Sequence, residues 1–157
     1  MVIQIAFISN LYQTAKERNL IAGVIMSDVI AFICFVIAPF GIIYPGDLQM
    51  LIGSVIGTRF ALKYRKKNEY VILLGISVGL GGTILAGISF SLFIWIIAVM
   101  QQVGGFSYLF LTIFPNIIVA VIIGGSIGLL IGFYYFKKKE TLKSELLIDE
   151  EFYESLK

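Results

Sequence analysis

The sequence predicts an all-α membrane protein with four transmembrane helices in two tandem hairpins. Three observations predict it: an apolar composition, four long apolar segments, and basic clusters that all fall on one side of the membrane. The chain has 157 residues, of which 59% are apolar and 14% are charged. Soluble domains have about 45–50% and about 25%. A soluble domain of this length could not hide that much apolar surface, so lipid is the solvent that fits.

The composition also excludes several function classes. The chain has no histidine and a single cysteine, Cys34. The commonest general base and metal ligand is therefore missing, and neither a serine–histidine pair nor a thiolate zinc site can form. A net charge of +2 is too small for a nucleic-acid footprint. We expect no enzymatic activity, no metal, no cofactor and no nucleic-acid partner.

Four apolar segments are long enough for, or close to, the roughly 20 residues that cross a bilayer. They define a transmembrane domain over residues 19–139, with spans at about 20–44, 48–64, 71–97 and 115–136. The sequence Pro45-Gly46 is a turn signal between the first two spans. Residues 98–114 are predicted to be a polar-aromatic connection, and Pro115 is expected to open the fourth span.

The two termini leave alternatives open. Residues 1–18 read either as a cytoplasmic amphipathic helix on the membrane surface or as a frayed end. The first apolar segment could instead be a cleaved signal peptide, but its length, Asp28 and Pro39 disfavour this. The acidic tail, residues 140–157, is either a short amphipathic helix or a solvated segment in the cytoplasm.

The basic residues predict the orientation. They cluster before the first span, between spans two and three at residues 63–67, and after span four at residues 137–143. With four spans, all three clusters lie on one side, which the positive-inside rule makes cytoplasmic. We therefore expect a multi-pass protein of the cell membrane with both termini in the cytoplasm.

Small residues recur at four-residue intervals within every span, so each helix is predicted to carry a smooth stripe on one face. Such stripes let helix backbones approach closely in lipid, a glycine-zipper type of packing. Whether the stripes pair within one chain or between chains stays open. The predicted helix-packing glycines are Gly53, Gly57, Gly75, Gly79, Gly124, Gly128 and Gly132.

Spans two and four resemble each other. Gly53 to Gly57 aligns with Gly124 to Gly128, and on the same offset Tyr64 meets Tyr135. The chain therefore reads as a parallel repeat of two hairpins. Chance similarity between two glycine-rich apolar segments is the alternative interpretation.

The order of these features is similar to that of a loosely defined group of small archaeal-type four-span glycine-zipper membrane proteins of unknown function. The likeness covers about residues 20–136, and the basic loop at 63–67 departs from it. The resemblance implies a fold and a membrane location, and no activity. The matching residues are Pro45, Gly53, Gly57, Gly75, Gly79, Gly82, Gly124 and Gly128.

Two ionisable residues, Asp28 and Arg59, lie within the predicted spans, where such groups are costly and are functional candidates by default. Counted from the turn near residue 45, their depths differ by roughly 5 Å. An ion pair across the first hairpin is one interpretation. The other is that Arg59 extends to the interface and Asp28 faces water. Hydroxyl side chains in the spans, such as Ser89, are expected to bond to their own helix backbone.

The favoured function is a non-catalytic structural or accessory subunit whose partners are the lipid bilayer and either further copies of itself or a membrane complex. The alternative is a small oligomeric transporter or channel that uses Asp28 and Arg59. A dry, closed bundle would favour the first hypothesis, and a water-accessible cavity lined by Asp28 would favour the second.

Overall fold

The computed structural model describes the backbone of residues 19–38, 46–65 and 70–155, and side chains within these ranges as far as Lys138. Over these residues the chain forms four α-helices: α1 (Asn19–Ile37), α2 (Asp47–Lys63), α3 (Val71–Met100) and α4 (Phe106–Ser155). The predicted segment 1–18, the turn at 44–45, the lysines at 66–67 and the side chains of the acidic tail lie outside the described residues.

Among the described residues, three stretches of helix are long and apolar enough to cross a membrane. They are Asn19–Ile37, Val71–Met100 and Phe106–Lys138. The remaining helix, α2, has 17 residues and spans about 25 Å. It begins after Gly46, whose φ of +100° lies in the left-handed region that favours glycine.

The second hairpin differs from its prediction. The connection is short, because α3 continues to Met100 and α4 already begins at Phe106. Pro115 lies inside α4 instead of at its start. Proline removes one amide donor and its ring crowds the preceding turn, but membrane helices tolerate it because neighbouring groups satisfy the freed carbonyl. The tail that follows the apolar part is helical to Ser155.

Helices α1 and α2 run antiparallel and meet through their small residues. A Cβ atom added to Gly57 would lie 2.6 Å from Ser27 Cβ and 2.5 Å from the Gly23 carbonyl oxygen. One added to Gly53 would lie 2.8 Å from Ala31 Cβ. Atoms do not approach this closely in proteins, so both positions require glycine at this helix separation.

Helices α3 and α4 are also antiparallel and meet backbone to backbone. A Cβ atom on Gly75 would lie 2.6 Å from the Gly128 carbonyl oxygen and 3.1 Å from Gly132 Cα. Gly79 and Gly124 each lie directly against the other's carbonyl oxygen. The small-residue stripes of both hairpins therefore lie at contacts within the chain.

Helix α3 packs against each of the other three helices and joins the two hairpins. Two apolar clusters fill the ends of the bundle, and small and polar residues lie between them. The cluster near Gly46 consists of Ala31, Phe35, Met50, Ala86, Phe90 and Ala120. The cluster at the opposite end consists of Ala61, Leu62, Val71, Leu74 and Val78.

Adjacent glycines in α4 provide a matched test of the backbone contact. In Gly124→Ala the new methyl group collides with the Gly79 carbonyl and the Thr83 hydroxyl. In Gly125→Ala it lies 3.4 Å from the flexible end of Leu80. We expect Gly124→Ala to lower the free energy of unfolding by about 1–3 kcal/mol through overpacking. Denaturant titration in mild detergent, followed by circular dichroism, measures the change.

Gly125→Ala is the control, since it gains the same helix propensity without the collision. It is expected to leave stability unchanged or to raise it by up to about 1 kcal/mol. Equal stability of the two variants would contradict a close contact between α3 and α4 at Gly124.

Candidate functional site

A groove between α1 and α3 contains the one carboxylate found within the described apolar part of these helices. Asp28 lies on the side of α1 that faces α3, where the Ser89 hydroxyl donates a hydrogen bond to its Oδ1 at 3.1 Å. The groove has a volume of about 370 Å³ and opens laterally. Its other lining residues are apolar: Val29, Phe32, Ile33, Leu92, Phe93 and Ile96. We call it the α1–α3 groove.

The walls of the α1–α3 groove are held by aromatic packing. The rings of Phe35 and Phe90 stack with their centroids 4.3 Å apart, and Phe32 meets Phe93 edge to face at 5.6 Å. Offset-stacked and edge-to-face pairs of this kind each add about 0.5–1.5 kcal/mol beyond area burial. These ring contacts therefore stabilise the packing of α1 against α3 at and beside the groove.

The structure does not bring Asp28 and Arg59 together. Within the described residues, Asp28 has Ser89 as its hydrogen-bond partner and no salt bridge joins it to Arg59. Arg59 is exposed on the outer side of α2, on the same stripe as Ile52 and Ile56. Counting residues from the turn near residue 45 gives only the position of each side chain along the helix axis. Helix rotation, which depth does not describe, turns the two side chains toward different surroundings.

The contacts between α1 and α2 give the relative depths of Asp28 and Arg59 along the bundle. Gly53 opposes Ser27 and Ala31, and Gly57 opposes Gly23 and Ser27. In this antiparallel register Arg59 is level with Gly23. Asp28 is therefore nearer the middle of the bundle than Arg59, by roughly 7 Å along the helix axis.

A second group of polar residues is enclosed between the two apolar clusters. Ser27, Ser54, Thr58 and Thr83 are all fully buried. Thr83 Oγ1 hydrogen-bonds to the carbonyl oxygens of Gly79, at 2.8 Å, and of Ala120, at 2.7 Å. It thus connects α3 to α4. The hydroxyls of Ser27, Ser54 and Thr58 have no hydrogen-bond partner within the described part of the chain.

Another polar contact joins α3 to α4 near the Gly46 end. The Asn116 side-chain amide donates to Ser91 Oγ at 2.8 Å, and Ser91 Oγ donates to the Gly87 carbonyl at 2.8 Å. Asn116 is fully buried one residue after Pro115. The expectation that hydroxyls bond to their own helix holds for Thr83 and Ser91. It is wrong for Ser89, which donates across to α1, and the hydroxyls of Ser54 and Thr58 make no such bond within the described residues.

These groups define what the molecule can do chemically. The α1–α3 groove offers an apolar surface with one carboxylate, which suits a ligand carrying a cation or a hydrogen-bond donor. Across the described residues, no group of three or more cysteine, aspartate or glutamate side chains is arranged to hold a metal ion.

Comparisons with protein-family models, with curated proteins and with solved structures gave no match for this chain. The resemblance to small four-span glycine-zipper proteins stays a prediction.

Two buried threonines test whether the polar contacts stabilise the bundle. Thr83→Val removes a hydroxyl that bonds across to α4, and we expect a loss of about 0.6–1.7 kcal/mol in the free energy of unfolding. Thr58→Val removes a hydroxyl without a described partner and is expected to be neutral or stabilising, because it relieves an uncompensated buried group. Thermal unfolding in mild detergent compares the two variants.

A larger loss in Thr58→Val than in Thr83→Val would contradict these assignments. It would mean that the Thr58 hydroxyl is satisfied by a bound water or by an atom outside the described residues.

Proposed function

We propose that this chain is a four-span, multi-pass protein of the cell membrane and a non-catalytic structural or accessory subunit. In this role it associates with further copies of itself or with a larger membrane complex. The observation that carries the proposal is that, within the described residues, the helices of each hairpin meet backbone to backbone and Asp28 lines a groove between α1 and α3. Such a surface is suited to binding a neighbour within the lipid.

Close packing of the interior supports this role. Backbone contacts at Gly53, Gly57, Gly79 and Gly124 bring the helices of each hairpin together, which agrees with glycine-zipper packing. A channel needs a polar, open passage, whereas apolar clusters fill both ends of this bundle.

The proposal that α2 is a fourth span depends on its contacts. Although it has 17 residues, its glycines lie against α1 over the range from Gly23 to Ala31. α2 therefore occupies the same depth as a helix that is long and apolar enough to cross a membrane. A length of 17 residues is at the lower limit for spanning.

A small oligomeric transporter is a second candidate, and one observation favours it. The buried hydroxyls of Ser27, Ser54 and Thr58 are unpartnered within the described residues, and such groups can solvate an ion or a water molecule. Asp28 lines the neighbouring groove. Flux of ions or solutes from proteoliposomes that Asp28→Asn abolishes would favour this candidate over the accessory role.

Membrane topology tests the four-span proposal. We introduce single cysteines at residues 48, 67 and 103 in a Cys34→Ser background and label intact cells with a membrane-impermeant maleimide. Leu48 is exposed at the start of α2, and residues 48 and 103 are expected to react from outside. Residue 67 is expected to react only after permeabilisation, because the basic loop is cytoplasmic under the positive-inside rule.

A residue 48 that is protected in intact cells but reactive after permeabilisation would overturn the topology. In that case α2 would not cross from the outer to the inner face.

Association tests the accessory role. Two copies carrying different affinity tags are co-expressed at low level and purified in mild detergent, and capture of one tag is expected to recover the other copy or a defined set of membrane chains. A monomer without partners would contradict the role, and Asp28-dependent flux in the same preparation would support the transporter.

A further inference from the structure

Two opposite charges in the transmembrane region lack an ionic partner within the described chain. Asp28 accepts a hydrogen bond from Ser89, and no basic side chain lies within salt-bridge distance in the described ranges. Arg59 is exposed on α2, and no described acidic side chain forms a salt bridge with it. Unpaired charges at this depth are unfavourable in lipid, so each surface favours a complementary charge on a neighbouring molecule.

We propose that Arg59 of one copy enters the α1–α3 groove of a second copy and pairs there with Asp28. This inference rests on the self-association in the proposed function and names its interface. The groove, which contains a carboxylate but no cation, is completed by the neighbour's guanidinium. Arginine suits this role because its planar group can donate two hydrogen bonds to one carboxylate.

The depths of the two residues are compatible with this pair. Two copies with the same orientation keep their depths in the membrane, so the difference of roughly 7 Å between Asp28 and Arg59 also applies between copies. Side chains on a helix lean toward its N-terminus. Because α1 and α2 are antiparallel, Asp28 leans toward the level of Arg59, and Arg59 leans toward the level of Asp28.

The direction of the Arg59 side chain, toward the N-terminus of α2, disfavours the alternative in which Arg59 extends to the nearby interface. That interface lies beyond Lys63, toward the C-terminal end of α2, which is opposite to the direction of the Cα–Cβ bond. An arginine directed toward the middle of the bundle instead reaches the depth of the carboxylate.

The surfaces around the two charges are also compatible. The stripe of α2 that carries Arg59 exposes Ile52 by 42% and Ile56 by 39%. The walls of the α1–α3 groove are apolar apart from Asp28 and Ser89. These isoleucines can therefore pack on the groove walls while Arg59 meets the carboxylate.

The two surfaces involve different helices, so the contact is head to tail. Each copy donates Arg59 to one neighbour and offers its groove to another, an arrangement that builds a ring when the rotation closes. This property allows a test by mixing variants. A copy without Asp28 and a copy without Arg59 can still make one intact junction together, although neither can make it with itself.

The first experiment uses Asp28→Asn and Arg59→Met as full-length chains with different tags in mild detergent. Each variant expressed alone is expected to elute as a monomer, with tag-to-tag capture at least tenfold below the wild-type chain. Co-expressed, the two variants are expected to recover most of the capture and to elute as a single pair. Lys63→Met is the matched control, because it removes a positive charge from the same helix one turn further on and should keep wild-type association.

The second experiment maps the contact by disulfide formation in a Cys34→Ser background. Val29 in the groove and Ile52 on the α2 stripe lie within one residue of the same depth, so Val29→Cys and Ile52→Cys chains should cross-link when mixed and oxidised in membranes. Val29→Cys mixed with Ile118→Cys, which lies on the exposed face of α4 near the same depth, should not cross-link.

The outcomes separate the inference from the proposed function. If wild-type copies associate but Asp28→Asn and Arg59→Met associate equally well, the pair is wrong and the accessory role stands. If the wild-type chain is monomeric and recovers no other membrane chain, both fail. If each variant alone is monomeric and mixing does not restore capture, the two residues act separately and the head-to-tail pair is overturned.

Discussion

Backbone contact between glycines is the constraint on which the rest of this structure depends. In lipid, helices gain little from burying apolar side chains against each other, so their association relies on close packing and polar contacts. Gly79 and Gly124 bring the α3 and α4 backbones into direct contact, and Gly53 and Gly57 do the same for α2 on α1. The short separation also allows Thr83 to reach the Ala120 carbonyl on the opposite helix.

Close approach of the helices leaves little volume inside the bundle, and this restricts which polar side chains fit there. The middle of the bundle holds small side chains, among them Ser27, which lies against Gly57 and Gly82. Asp28, the next residue, is rotated about 100° around α1 and reaches the lateral groove instead. Within the described residues, small side chains therefore occupy the interior, whereas the Asp28 carboxylate lines the α1–α3 groove.

The sequence predicted much of the local structure and less of the site. Helical spacing predicted a glycine face on each helix, since i and i+4 positions share a side of a helix whatever its surroundings. In the structure, Gly53, Gly57, Gly79 and Gly124 lie at contacts between helices. The position of Pro115 predicted that α4 starts there, although the helix begins at Phe106. In sequence, a proline that opens a helix looks the same as a proline inside a membrane helix. Asp28 and Arg59 were recognised as unusual residues, but the Ser89 partner of Asp28 was not.

What the sequence by itself determined is the medium, the helical content and the stripe on each helix, since these follow from composition and from a 3.6-residue period. The tertiary structure decided which stripes pair and which way the remaining side chains face. The pairing of Gly75 with Gly128 and of Asp28 with Ser89 depends on the rotation and register of whole helices. Those variables are determined by contacts between residues far apart in the chain, which the spacing within one helix does not encode.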